Sequence, residues 1–266
     1  MTRVTFFGEA AEADRVGGKG ASLSRLVAAG LPVPPGFCVP VDLLSAIGAG
    51  NPSADVDAAV ERLGAAAVAV RSSAVGEDGT DASFAGIHLS VLNVPRTGVP
   101  SALGRVRESA CTPAAMAYRA RRGLEGAPRI AAVVQAMLVP DVSGVLFTRD
   151  PVTKADRFVV EASWGLGEAI VSGAVTPDHW ELARSGDLVS SRIGDKDVAI
   201  VAEGEGTVEI EVEPARRGVP TLDASQLGAL CDLARACERI FGSPQDIEFA
   251  WAAGQAWLLQ SRPVTT

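Results

Sequence analysis

Two stretches close to the C-terminus, Asp246–Trp251 and Ala256–Arg262, read as strands, and only Ala252–Gln255, with Gly254 among them, lies between. A parallel return needs a crossover of roughly a dozen residues or more, so strands this close pair antiparallel. This end of the chain is therefore predicted to be a hairpin. Side chains alternate along a strand, so Asp246, Glu248 and Ala250 share one face, and Leu258, Gln260 and Arg262 share a face of the second strand. With the turn closing around Ala253–Gly254, Glu248 and Gln260 stand roughly opposite each other.

The rest of the chain mixes helices and strands without the regular strand–helix–strand period of a parallel sheet. Residues 19–29 read as a helix, since Leu23, Leu26 and Val27 recur at the spacing of a buried stripe. Gly30 supplies a stop, and Pro32, Pro34 and Pro35 prevent continuation. Residues 53–64 and 222–241 are further helices, the latter with Asp223 and Ser225 as candidate N-caps and Gly242 just past its end. Residues 101–122 are helical in composition, with Pro113 interrupting or restarting the segment. Strands are predicted over 67–70, 87–94, 130–138, 143–148, 158–162 and 206–213. The pattern suits an α+β fold with antiparallel sheets.

Length and charge bound the function. A chain of 266 residues buries a full core as one large domain or two lobes. A net charge of −8 argues against nonspecific nucleic-acid binding, which needs a positive field. No window approaches the roughly 20 apolar residues of a membrane helix, and Arg3, Glu9, Glu12 and Asp14 interrupt any secretory signal. A cytoplasmic enzyme is the natural expectation. Cys38, Cys111, Cys231 and Cys237 lack zinc-ligand spacing and read as structural thiols. His88 and His179 stand far apart and read as surface or satisfied structural residues.

Five segments carry residues suited to chemistry. Val16–Leu23, with Gly17, Gly18, Lys19 and Gly20, opens a helix, where backbone N–H groups and Lys19 suit a phosphate. It lacks the Walker A spacing, and the same glycines suit a plain turn. Val68–Ala74 drives a buried strand into Arg71, a charge that must meet an anion. That anion is either a ligand phosphate or one of Glu77 and Asp78. Asp81–Gly86 follows as a candidate lid. In Val133–Leu138, Gln135 and Met137 suit a hinge packed on a purine, or one polar position in a core strand. Ser163–Glu168 is either a mobile glycine loop or a turn around a packing Trp164. In the hairpin, Glu248 and Gln260 offer a partial oxygen shell for Mg²⁺, with Arg262 beyond them, or else a solvated polar face.

Taken in order, these segments resemble the ATP-binding domain shared by pyruvate phosphate dikinase, phosphoenolpyruvate synthase and rifampin phosphotransferase. The carrying stretches are Gly17–Leu23, Val68–Ala74, Asp81–Gly86, Ser143–Pro151, Glu161–Gly173, and Asp246–Ala250 with Gln260–Pro263. The resemblance implies an ATP-grasp fold whose two lobes, residues 1–134 and 135–266, hold ATP between them. It implies that Lys19, Arg71 and Arg262 are catalytic and contact phosphates, and that Gly86 and Ser90 belong near the loop closing over the triphosphate. Gln135 and Met137 match the adenine hinge, and Glu248 and Gln260 match the pair that binds Mg²⁺ and nucleotide. The stretch from Val41 to Val68 is shorter than the resemblance leads one to expect.

In the family, a swivelling domain with a phosphorylatable histidine and an acceptor-substrate domain follow. Here the sequence ends at Pro263–Thr266, about where that linker is expected, and neither His88 nor His179 sits in a phosphohistidine setting. The expectation is a split dikinase-type phosphotransferase that passes the β-phosphoryl of ATP to a histidine on a separate partner protein, releasing AMP and phosphate. The rival readings are a self-sufficient ligase forming ADP, a nonenzymatic ATP-binding regulatory module, and an excised domain of a longer enzyme.

Overall fold

The computed structural model describes residues 3–47, 53–76, 89–121, 123 and 126–264. The chain divides into two compact units, each with its own sheet. The first draws on the segments up to Ala28, Pro34–Met137 and Gly204–Gly206; the second takes Ala29–Val33, Leu138–Glu203 and the segment from Thr207 onward.

The first unit contains β1 (Thr5–Phe6), α1 (Ala13–Ala28), β2 (Gly36–Val39), α2 (Val41–Ala46), α3 (Ala54–Leu63), β3 (Ala67–Ala74), β4 (Ser90–Pro95), α4 (Val99–Ser109), α5 (Pro113–Arg121) and β5 (Ile130–Ala136). Its sheet runs β1-β2-β5-β3-β4, every neighbouring pair antiparallel. The run Val68-Ala69-Val70 has no polar alternation because both sheet faces are covered. Val68 and Val70 join Phe37, Val39, Ala132 and Val134 in a core with Leu44, Val56, Val60, Leu103 and Val106. The opposite face, with Cys38, Ala69, Ser73, Val133 and Gln135, is buried on the side where α1 lies. Pro113 divides the predicted 101–122 helix by starting α5.

The helix predicted from residue 19 begins earlier, at Ala13, but breaks at Gly17, whose φ of 73° and ψ of 168° are not helical. The glycine segment thus remains a break that leads into a helix, as the sequence implies, with one further turn before it.

The second unit contains β6 (Val142–Phe147), β7 (Phe158–Trp164), α6 (Glu168–Val171), β8 (Asp178–Leu182), β9 (Leu188–Arg192), β10 (Val198–Glu203), β11 (Gly206–Glu211), α7 (Pro214–Arg217), α8 (Ala224–Phe241), β12 (Gln245–Ala252) and β13 (Gln255–Pro263). Six strands form an antiparallel sheet in the order β13-β12-β6-β7-β8-β9, while β10 and β11 pair separately. Asp223 and Gln226 close a capping box at the start of α8, and Gly242, at φ 73°, ends it. Leu227, Leu230, Cys231, Ala234 and Cys237 form its buried stripe. That stripe packs on the sheet face bearing Ile247, Phe249, Leu146 and Leu258, and the Cys237 thiol bonds Ser261 on the same face. The other face of this sheet carries Asp246, Glu248, Gln260, Arg262, Glu161 and His179.

The C-terminal hairpin closes on Ala253 and Gly254, both at positive φ (51° and 78°), the backbone twist favoured by two-residue hairpin turns. Its register then shifts by one between Glu248 and Phe249: Phe249 pairs with Leu258, but Glu248 pairs with Gln260 and Asp246 with Arg262. Leu259 is the extra residue of this bulge. One expectation is corrected here. Leu258 does not share a face with Gln260 and Arg262, because the bulge resets the alternation and turns Leu258 toward α8.

Candidate functional site

On the first unit, Lys19, Arg71 and Gln135 are carried by α1, β3 and β5. Arg71 and Ser73 lie two residues apart on β3, on the same side as Ala69, which pairs with Gln135. Arg71 is half-buried and pairs in register with Ser90, which is exposed at the start of β4. Lys19 is 7% exposed although it carries a full charge. Gln135 is 2% exposed, and its Nε2 donates to the Pro34 carbonyl at 3.2 Å. Next to it the Met137 N–H donates to the Ala67 carbonyl at 3.0 Å. The end of β5, the proline segment before β2 and the start of β3 are thereby tied together. Gly86, with Glu77, Asp78, Asp81 and His88, lies outside the described residues.

Gly17 and Gly20, on either side of Lys19, have a packing reason. A Cβ on Gly17 would lie 2.2 Å from the Ser73 carbonyl oxygen and 2.3 Å from its Oγ, and a Cβ on Gly20 would lie 2.7 Å from the Cys38 sulfur. The Gly20 N–H donates to Ser73 Oγ at 3.1 Å, so this amide is already committed inside the protein.

On the second unit, Glu248 and Gln260 face each other directly across β12 and β13. One rung further along, Arg262 donates from Nε to Asp246 Oδ2 at 2.8 Å, and its Nη2 lies 2.7 Å from the same oxygen. Burial pushes the Asp246 carboxyl above the ordinary 3.8, and the Arg262 guanidinium offsets only part of that rise. Asp246 is a residue that sequence reasoning placed on the right face but gave no role. Its signal was the strand parity already used for Glu248.

The row through Glu248 continues across the sheet to Val145 on β6, Glu161 on β7 and His179 on β8. His179 Nδ1 lies 3.2 Å from Glu161 Oε1, and its Nε2 lies 3.9 Å from Glu181 Oε1. Glu181 also accepts from Arg157 Nη1 at 2.5 Å. His179 is thus a partnered histidine, as its sequence setting suggested, but it stands on the face that carries the candidate site. Toward the start of β6, Ser143 and Ser163 pair across β6 and β7, each 2% exposed and each with a hydroxyl that has no partner among the described residues.

The glycine stretch after β7 is held down. Trp164 Nε1 donates to the Arg216 carbonyl at 3.3 Å, and the Arg216 guanidinium stacks 4.2 Å from the Trp164 ring. Gly165, at φ 74°, passes so close to β10 that a Cβ would lie 2.4 Å from the Ile200 carbonyl oxygen. Of the two readings of this segment, the packed turn describes what is seen.

Among the described residues, no group of three or more His, Cys, Asp and Glu side chains is placed to hold a metal ion. The donor set at Glu248 and Gln260 nevertheless fits Mg²⁺: one carboxylate and one amide carbonyl are hard oxygen donors, and this ion draws its remaining ligands from water and phosphate.

Comparison with known proteins gives a consistent picture. Residues 51–266 match the family described as "Pyruvate phosphate dikinase, AMP/ATP-binding domain". A probable phosphoenolpyruvate synthase of Methanothermobacter thermautotrophicus is 35% identical over 99% of this chain, which covers 46% of that protein. A rifampicin phosphotransferase of Streptomyces sviceus is 37% identical over 94% of this chain and 34% of its own length. The chain therefore spans less than half of either relative. Among solved structures, the D-alanine–D-alanine ligase of Bacillus anthracis complexed with ATP is similar with a TM-score of 0.40, at 9% identity, over 92% of this chain and 55% of that one.

Proposed function

Because the chain belongs to the pyruvate phosphate dikinase AMP/ATP-binding domain family, we propose that it is the ATP-handling part of a dikinase-type phosphotransferase with an ATP-grasp fold. The observation that carries this reading is the bulged hairpin, which sets Glu248 against Gln260 and Asp246 against Arg262 on one sheet face. Glu248 and Gln260 hold Mg²⁺ in this reading, and what the ion supplies when bound is neutralisation of phosphate charge. Lys19, Arg71 and Arg262 balance charge that shifts between phosphate oxygens during transfer. The contact of Nε and Nη2 with one Asp246 oxygen restrains the Arg262 guanidinium, so that it meets phosphate with less search over rotamers. Gln135, braced on Pro34, and Met137 serve the purine, and Ser90 serves the triphosphate.

The accepting group is an imidazole of another protein or domain. Its nitrogen forms a bond to the β-phosphorus, and the bond from that phosphorus to the α–β bridging oxygen breaks, so the electron pair leaves with AMP. Water then displaces the outer phosphate and leaves a phosphohistidine.

Phosphorus NMR of the protein with Mg-ATP and a histidine-domain protein tests the reading. AMP and a phosphoramidate signal are expected, with Glu248→Ala folded but inactive as the control. ADP in place of AMP would overturn the dikinase reading in favour of a ligase.

A further inference from the structure

The break in α1 has a specific cause. Val16 and Gly20 stand four residues apart, so in an unbroken helix the Gly20 N–H donates to the Val16 carbonyl. Instead, Gly20 N–H donates to Ser73 Oγ at 3.1 Å, and Ser73 Oγ donates to the Val16 carbonyl at 2.7 Å. One hydroxyl from β3 is spliced into the helix ladder, and insertion of this kind is a recognised cause of sharp kinks. Gly17, inside the opened turn, takes φ 73°, and its missing Cβ admits the Ser73 backbone. Ser73 is wholly buried, so the splice does not compete with water.

Two cationic residues stand close in sequence to the residues of this splice. Lys19 lies within the four-residue span that Ser73 bridges, and Arg71 lies two residues before Ser73 on the same face of β3. We infer that Ser73 is a positioning residue that holds the α1 turn open and thereby fixes Lys19 relative to Arg71 for the triphosphate. This rests on the nucleotide reading given above. Without the hydroxyl, the Gly20 amide and the Val16 carbonyl are free to pair directly, which closes the turn and rotates Lys19 away from its place beside β3.

The test is Ser73→Ala in the full chain, read by calorimetry with Mg-ATP and, separately, with adenosine. The expected result is at least about a tenfold loss of Mg-ATP affinity, about 1.4 kcal/mol, with adenosine affinity unchanged within about twofold. Mg-ATP affinity that stays at the wild-type value overturns the inference, as does an equal loss for both ligands, which marks a general structural defect. Hydrogen exchange supplies a readout that needs no nucleotide and no variant. In the wild-type protein the Gly20 amide should exchange slowly, and fast exchange there denies the splice. Failure of the wild-type protein to bind either ligand, with Gly20 still protected, overturns the nucleotide reading and the role of Ser73 in it, while leaving the splice itself supported.

Discussion

Asp246 is the residue on which stability and proposed activity pull in opposite directions. Its carboxyl is pushed above 3.8 because burial disfavours the charge more than Arg262 favours it. The folded protein then holds this proton to a higher pH than the unfolded chain does. The group's contribution to stability is therefore largest below the ordinary value and falls as pH rises from 3.8 through the raised value. Asp246→Asn should flatten that part of the stability curve in chemical denaturation followed across pH 3.5 to 7, and should lower turnover by freeing Arg262. An unchanged slope would show that Asp246 is not the titrating group. The sequence placed this residue on the correct face but could not reveal its balance of burial and pairing, which depends on neighbours from two strands. A neighbouring case was wholly hidden. Lys196 follows Gly194 and Asp195 and carried no sequence-based expectation, yet it is fully buried and donates to Asp178 Oδ1 at 2.6 Å. The Gly194 N–H and the Thr221 N–H and hydroxyl complete the shell around that carboxylate. A buried charge is tolerable only when its hydrogen bonds are met, and these come from segments far apart in sequence.

Helices and strands were legible in proportion to how much of their pattern is local. α8 announced itself by a cap residue and a terminal glycine, and both are present. Asp223→Ala removes the side chain that accepts from the Gln226 N–H at 2.8 Å and breaks the reciprocal bond pattern. A loss of about 1 kcal/mol in unfolding free energy is expected, measured by urea titration, with nucleotide affinity unaltered. A loss below a few tenths of a kcal/mol would mean that packing alone holds the helix end. Shorter strands escaped notice for physical reasons. β2 is four buried residues that follow a proline-rich segment, and β9 is exposed along its whole length, so neither offers a two-residue hydrophobic period. The hairpin shows the finer limit. Its existence was readable and Glu248 could be set roughly opposite Gln260, but strict pairing outward from Ala253–Gly254 sets Glu248 against Leu259. Only the bulge brings Gln260 opposite, and nothing in the residue types around Leu259 marks it.

At the scale of the whole molecule, the resemblance implies lobes of residues 1–134 and 135–266, and each of the two compact units draws on several segments of the chain. Ala29–Val33 belongs with the second unit because the Leu258 N–H donates to the Pro32 carbonyl, a long-range backbone bond that no composition shift signals. The cysteines provide a separate reporter for each unit. Cys38 is buried under α1 in the first, and Cys231 and Cys237 lie on the buried face of α8 in the second, while Cys111 is exposed. Burial pushes the Cys38 and Cys237 thiols up to about 12 and raises Cys231 as well. The thiolate is the nucleophile, so these three are slow toward thiol reagents both because they are covered and because they stay protonated near pH 8. One fast-reacting thiol per native chain is expected at that pH, and four once the protein is unfolded. Mass mapping of the slow phase then separates the units. If α1 and α8 detach independently, Cys38 should be modified at a rate unrelated to that of Cys231 and Cys237. A nucleotide bound at Lys19 should slow the Cys38 phase, because a ligand that binds only the closed form opposes opening in proportion to its concentration. Equal rates at all three buried thiols, with or without Mg-ATP, would mean that they become reactive only through global unfolding of the chain.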